Sequence, residues 1–589
     1  MRSHLKRAHP KIDLSENARN TFEAPIADEN SMMDFVLDDN IEPLSSAASE
    51  SSVTSTLTNT IEQPSKQPRI DLTFYKQSSF QGGSKAAEIT NKLIFMIAKD
   101  NMPYQTVENE GFKTFMKAIA PLYKLPCRST VQSLMEEKYQ VLSSITKTWL
   151  SNTNNLSLTT DIWTDPLNVK SFLGVTAHFL LNDKFKTLVI GVTELNDRHT
   201  SEYIEMWLLQ IIKDWQIKKE SIVVVVSDNG ANVKKAIVNA FGAEKHLPCF
   251  AHSLNLLPAK VMASENISSV CKKIKTIVKY FKKSVTAADR LRAVSNLKLL
   301  QSVETRWNST YDMIVRFIEL SEKISPILLQ CPSAPIMLTA SELLVAKEFV
   351  ELLKPFKDAT KILSGESYLT GSKVIPILNI LQRSLQSSFP ETEIGNEMKQ
   401  ILLEEFYERF KSREEISVIA IATLLDPRFK RIHFCDELAC LSAINTIVTL
   451  LLTNESDKPI DEVDNINKDE LVKTDFWSYH KSLVKLDQQN QITITDNNIM
   501  PEEFRFYLNQ SPIAIDDCPI KFWSHSSPLS TLAKKYLIII ATSVPCERLF
   551  SKAGIIMTER RNRLTGDHLN QLLFLSSLSF DEWNLDAAV

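Results

Sequence analysis

Residues 222–227 read IVVVVS, a run of strand length with no polar alternation in its first five positions. A strand that is apolar on both sides must be covered on both faces, which puts it inside a sheet with helices above and below. The flanking sequence agrees. Leu156–Trp163, Ser171–Leu181 and Lys186–Thr193 predict three consecutive strands. Ser201–Trp215 and Asn229–Phe241 predict amphipathic helices, and His246–Phe250 a last strand. The order β-β-β-α-β-α-β predicts a three-layer mixed α/β core.

The remainder reads as helix. Glycine supplies only 12 of 589 residues, far below the usual ~7%, which disfavours a fold of many glycine loops. Ala86–Ala98, Glu110–Tyr123 and Ser129–Trp149 predict helices before the sheet. From 251 to about 455 the chain is nearly all helical, with turns at Pro332, Pro335, Gly365 and Pro390. Residues 455–470 carry seven acids and two lysines without periodicity and read as a loop. Residues 10–82 are rich in Ser, Thr, Asn and Pro and read as a disordered linker. No run reaches the ~18 apolar residues of a membrane span, and MRSHLKRAHP lacks the apolar core of a secretory signal. Eight scattered cysteines suit a reducing compartment. A net charge of −4 leaves nucleic acid open as a partner only if basic surface is segregated.

It is segregated. Lys272, Lys273, Lys275, Lys279, Lys282, Lys283, Arg290 and Arg292 face one acid, Asp289, over 272–292. Ile274, Ile277, Val278 and Phe281 form the apolar stripe of that helix. The lysine face would neutralise phosphates or is simply solvated; the residues favour neither. Arg560, Arg561 and Arg563 make a second basic cluster. Asp161 in LTTDIW is expected at the end of the first strand, and Asp228 at the end of IVVVVS. Two carboxylates from neighbouring strand ends can bridge divalent metals for phosphodiester hydrolysis, and hard oxygens suit Mg²⁺ or Mn²⁺. Taken alone, both aspartates read more simply as turn and cap residues. Cys249 and His252, with His246, look like part of a zinc site without a convincing fourth ligand; a buried thiol and a core imidazole are the plain alternative. His4 and His9 give the H-x4-H half of a zinc finger whose cysteines would lie upstream, so zinc is expected only with a full finger there. Leu529–Leu578 is densely apolar, including Leu572, Leu573, Phe574, Leu575 and Leu578, and must be covered by the chain's own core or by a second copy.

An ordered set of motifs carries a resemblance. SHLKRAHP, TTDIWT with SFLGVTAHFL, VVSDNGANVKKAI, CFAHSLNLL, TRWNSTYDMIVRFIEL, LLDPRFK and LAKKYLIIIATSVPCERLFSKAGIIMTERRNRL together resemble the hAT superfamily of transposase-derived proteins, in its BED-type zinc-finger branch. The resemblance implies an α/β fold plus a large α insertion: an RNase H-like core interrupted by a helical domain, after a helical DNA-binding unit and before a C-terminal dimerisation region. It divides the chain into a finger remnant (1–9), linker (10–82), helical DNA-binding domain (83–150), core (151–310), insertion (311–525) and dimerisation region completing the core (526–589). It implies an Asp-Asp-Glu site at Asp161, Asp228 and Glu547, with Mg²⁺ or Mn²⁺ if active. It also implies that Arg306 and Trp307 stabilise a flipped base, and that Cys249 and His252 shape a DNA-end pocket. DNA, a homodimer and a nuclear location follow as expectations, with no membrane partner. Cys546 stands where the family usually has serine. A catalytically silent, domesticated DNA-binding regulator on the same scaffold is the competing expectation.

Overall fold

The computed structural model describes residues 83–165, 169–303, 307–365, 369–453, 477–489, 500–557 and 565–585, all within one compact unit. Residues 1–9, the linker 10–82 and the acidic stretch 455–470 lie outside them. Helices α1 (Ser84–Lys99), α2 (Glu110–Ile119) and α3 (Arg128–Asn152) come first. α2 stops short of the expected Tyr123 because Ala120 precedes Pro121, and a residue before proline is pushed out of helical backbone.

The sheet follows: β1 (Leu156–Asp165), β2 (Lys170–Leu181), β3 (Lys184–Leu195), α4 (Ser201–Asp214), β4 (Ile222–Ser227), α5 (Ala231–Phe241) and β5 (His246–Pro248). The strands stand in the order β3-β2-β1-β4-β5. β1, β2 and β3 run antiparallel, while β4 lies parallel to β1 and β5 parallel to β4. The apolar β4 is covered on both sides, as its composition requires. Val224 and Val226 enter the core shared with the helical region, whereas Ile222 and Val225 enter the core beneath the opposite face. β5 is shorter than expected, since Cys249 already caps the next helix.

Contrary to the sequence expectation, Asp161 does not end β1. Pairing with β2 continues to Asp165↔Lys170, because β2 is 12 residues long. Pairing with β4 stops at Thr159↔Val226, so it is the neighbour on that side that ends.

The helical region comprises α6 (Phe250–Ala263), α7 (Glu265–Lys283), α8 (Val285–Val294), α9 (Trp307–Leu329), α10 (Ala340–Leu363), α11 (Val374–Gln386), α12 (Glu393–Phe410), α13 (Ser417–Leu424), α14 (Glu437–Leu452) and α15 (Ser478–Gln489). The C-terminal elements are α16 (Glu502–Asn509), α17 (Pro519–Phe522), α18 (Pro528–Leu537), α19 (Val544–Ile556), α20 (Gly566–Ser577) and α21 (Phe580–Trp583).

LLDPRFK clamps these two regions together. Arg428 donates through Nε and Nη2 to the buried Asp426 at 2.9 and 2.6 Å, and Ser372 Oγ donates to the same carboxylate at 2.6 Å. Lys430, held at φ 49°, donates to the carbonyls of Tyr507 and Gln510. Trp523 Nε1 donates to the Leu425 carbonyl at 2.9 Å.

α20 packs on β3 and α1, and Leu569, Leu572, Leu573, Phe574 and Leu575 are buried within the chain. Trp583 Nε1 donates to Asn91 Oδ1 at 2.7 Å, and Lys99 Nζ donates to the carbonyls of Ser576 and Leu578 at 3.0 and 2.8 Å. The apolar stretch Leu572–Leu578, open in the sequence between the chain's own core and a second copy, is therefore taken up by its own core.

Candidate active site

Asp161 and Asp228 are brought level by the parallel pairing of β1 and β4. Each lies two positions beyond the last paired couple, Thr159↔Val226, so both carboxylates leave the same edge of the sheet at the same height. Asp228 also closes the turn into α5, accepting from Gly230 N–H at 3.2 Å. The turn reading of that aspartate thus holds, but the cap reading does not: the N-cap of α5 is Gly230, and no side chain caps the helix. Glu547 arrives on the first turn of α19, and its side chain is on the exposed face of that helix.

The electrostatics tie the three together. The Asp161 carboxyl is pushed up to about 7, first by burial, next by the negative charge of Asp228, and to a smaller extent by that of Glu547. The Ile162 N–H, donating to Asp161 Oδ1 at 2.8 Å, works against this rise. A partly buried acid beside two other acids is an uncompensated negative centre, the charge pattern that a hard divalent cation relieves. As the side chains stand, no three His, Cys, Asp or Glu groups among the described residues are gathered closely enough to hold a metal ion.

Glycine at position 174 lets α19 lie on the sheet. Gly174 pairs with Asp161 across β1 and β2. A Cβ there would fall 2.7 Å from Phe550 Cζ and 3.3 Å from Leu549 Cδ2, so a larger residue would have to displace the side chains by which α19 rests on the strand. Phe550 in turn stacks on Trp163, ring centroids 5.7 Å apart. One turn earlier, Cys546 is buried against β1: its Sγ lies 3.3 Å from both Thr159 Oγ1 and the Thr159 carbonyl. Burial pushes the Cys546 thiol up to about 12, so it stays protonated as a weak donor. The Thr159 hydroxyl meets that of Thr176 at 2.5 Å, and Thr176 meets His178 Nε2 at 2.9 Å. His178 Nδ1 is 3.0 Å from Thr187 Oγ1, and burial drops this imidazole to about 3, keeping it neutral. This polar thread across β1–β3 lies beneath α19. A lone glycine inside a strand of a glycine-poor chain was the one sequence signal for it.

Cys249 has a different occupation from zinc binding. Its Sγ accepts from the N–H of His252 at 3.4 Å and of Ser543 at 3.3 Å. Its own N–H donates to the Ser227 carbonyl at 2.7 Å, and Phe250 N–H donates to Ala541 at 3.0 Å. Cys249 therefore caps α6 and ties the end of β4, next to Asp228, to the segment that launches α19 and Glu547. His246 Nε2 bonds the Ser227 hydroxyl at 3.1 Å, and the His252 side chain is exposed. These three side chains do not form a ligand set.

Trp307 is only 6% exposed, and its Nε1 donates to Asn255 Oδ1 of α6 at 2.8 Å. It is packed as a core residue in this conformation. Lys272, Lys279, Lys282 and Lys283 are exposed along α7, whereas Lys273 is paired with Glu342 at the start of α10. Arg306, Arg560, Arg561, Arg563, His4 and His9 lie outside the described residues.

Comparison with known proteins matches three segments to family models: the ZBED1 RNase-like domain over 159–249, the ZBED1 RNase-like helical domain over 247–345, and the hAT family C-terminal dimerisation region over 503–578. Among curated proteins, the human zinc finger BED domain-containing protein 4 is 24% identical over 521 residues, covering 83% of this chain and 43% of that protein. The human zinc finger BED domain-containing protein 6 is 25% identical, over 60% of this chain and 39% of its own length. The transposable element Hobo transposase of Drosophila melanogaster is 26% identical over 249 residues, 39% of this chain and 37% of that protein. Each match spans less than half of the relative's length.

Proposed function

We propose that this chain, a hAT-superfamily homologue of the ZBED proteins and hAT transposases, is a nuclear DNA-binding protein whose RNase-like core cleaves DNA and transfers the cut strand with divalent metal. The observation that carries the reading is the level placement of Asp161 and Asp228, each two positions beyond the last β1–β4 pair, with the negative charges of Asp228 and, less strongly, Glu547 felt at Asp161. Asp161, Asp228 and Glu547 would hold Mg²⁺ or Mn²⁺, which supplies an activated water or hydroxyl at a phosphodiester. The chain's own share is to fix the carboxylates. β1 and β4 set the first two level, Cys249 and the Cys546–Thr159 contact seat α19, and Gly174 leaves room for it. Glu547, on the exposed side of α19, is the acid with freedom to close the set. The exposed lysines of α7 would take phosphate contacts, making binding steeply salt-dependent.

A homodimer through the C-terminal region belongs to the same reading, supported by the 503–578 match. Because Leu572–Leu578 are consumed internally, the contact would use other surface of that region; Phe506 and Ile555 are exposed there.

The test is a cleavage assay of the full chain with Mg²⁺ or Mn²⁺ and a duplex carrying any inverted repeats found to flank its gene, run beside Asp228→Ala. Metal-dependent nicking that disappears in the variant is the expected result. Equal binding by both proteins with no nicking would instead establish the silent DNA-binding regulator.

A further inference from the structure

The chain between α8 and α9 is irregular, yet it is fastened at several points. Leu299 and Ser302 are buried. Arg316 Nη1 donates to the Lys298 carbonyl at 3.1 Å. Ser309 holds Val303 from both sides, its Oγ accepting from the Val303 N–H at 2.8 Å and donating to the Val303 carbonyl at 3.0 Å. A segment anchored in this way turns three large apolar side chains outward: Leu297 is 44% exposed, Leu300 40% and Val303 55%. Val294, at the end of α8, continues the strip at 52%. Four large apolar side chains exposed within ten residues of a fastened segment are unfavourable in water, and such a concentration points to a contact surface.

The setting of the strip identifies the partner. Residues 279–303 carry six cationic side chains, Lys279, Lys282, Lys283, Arg290, Arg292 and Lys298, against the single acid Asp289, in a chain whose net charge is −4. All six are exposed. Arg292 is paired with Asp289 and Arg290 donates to the Gln330 carbonyl, which leaves Lys279, Lys282, Lys283 and Lys298 as the open cations of this stretch. Exposed apolar side chains in so cationic a stretch of chain suit a polyanion that also offers flat apolar faces, which is nucleic acid with its bases partly unstacked. The segment leads toward Trp307, and Trp307 is bonded to α6, the helix that Cys249 caps beside Asp228 and the launch of α19.

We propose that the 294–303 segment is an apolar wedge for DNA: Leu297, Leu300 and Val303 enter between loosened bases while the open cations of α7 and Lys298 hold the flanking phosphates. This rests on the DNA-binding reading above and adds the form of DNA preferred. Duplex that is already unpaired saves the unstacking cost, so the chain should bind it more tightly than the same sequence fully paired.

The experiment measures full-chain binding to two 30-base-pair duplexes at fixed salt, one fully paired and one with four central mismatches, each carrying 2-aminopurine at the centre. A preference of about tenfold for the mismatched duplex is expected, with fluorescence rising on the paired one as bases unstack. In Leu297→Ser combined with Leu300→Ser, the preference and the fluorescence rise should vanish while paired-duplex binding persists. Lys282→Gln with Lys283→Gln should weaken both duplexes alike and flatten the salt dependence. If native protein binds both duplexes equally, the wedge is overturned while DNA binding stands. Binding of neither duplex overturns both readings. If the serine variant keeps its preference but changes from dimer to monomer in sedimentation, the strip is an interface between copies and the wedge is overturned.

Discussion

Asp426 and Asp161 are both withdrawn from water, and they meet opposite neighbours. Asp426 receives two nitrogens of Arg428, the Arg428 backbone N–H and the Ser372 hydroxyl, so its lone pairs are engaged by donors. Asp161 receives one backbone N–H and faces two further acids. The first environment is what a joint needs, since a buried charge fully matched by donors fixes two segments in one geometry. The second is unfavourable for the folded chain by itself and gains sense only when something positive enters. An aspartate in a motif is thus not evidence of chemistry until its neighbours are known.

This contrast can be broken experimentally. Arg428→Ala should give the largest loss, about 3–5 kcal/mol in urea unfolding, because it strands the Asp426 charge in the core; a loss under about 1 kcal/mol would show that Asp426 does not depend on its donors. Gly174→Ala should cost less, about 1–3 kcal/mol, as the new methyl meets Phe550 and α19 shifts. Its more telling effect is on nicking, which should fall further than stability does; nicking at the native rate would detach Glu547 from the seat of α19. Asp161→Asn should be the mildest, leaving unfolding unchanged or raising stability by about 0.5–2 kcal/mol while nicking disappears. A distinct destabilisation of that variant would place Asp161 with Asp426 as an architectural residue.

Much of the core was legible because it rests on local pattern. The apolar 222–226 run forced a covered strand, whereas the helix expected through Tyr123 overran the stop that Pro121 imposes. The sites were less so, because their partners are distant in sequence. Glu547 lies 319 positions beyond Asp228, and only the family resemblance joined them. Nothing near Trp307 announced that Asn255 would engage its indole, and nothing near Lys273 announced Glu342. Likewise the strand end expected at Asp161 could not be read from the motif, because β1 has two neighbours and they stop at different heights.

The seal that α20 and α21 place over β3 and α1 has a consequence for how the protein is made. Asn91 and Trp583, bonded in the finished fold, are 492 positions apart. Translation delivers the two partners to the cell at well-separated times, and contacts of such sequence separation form slowly. Until residues 566–583 leave the ribosome, the leucine-covered side of the sheet stays open to solvent and to chaperones. The helices made late in synthesis are the ones that close the core begun by those made early.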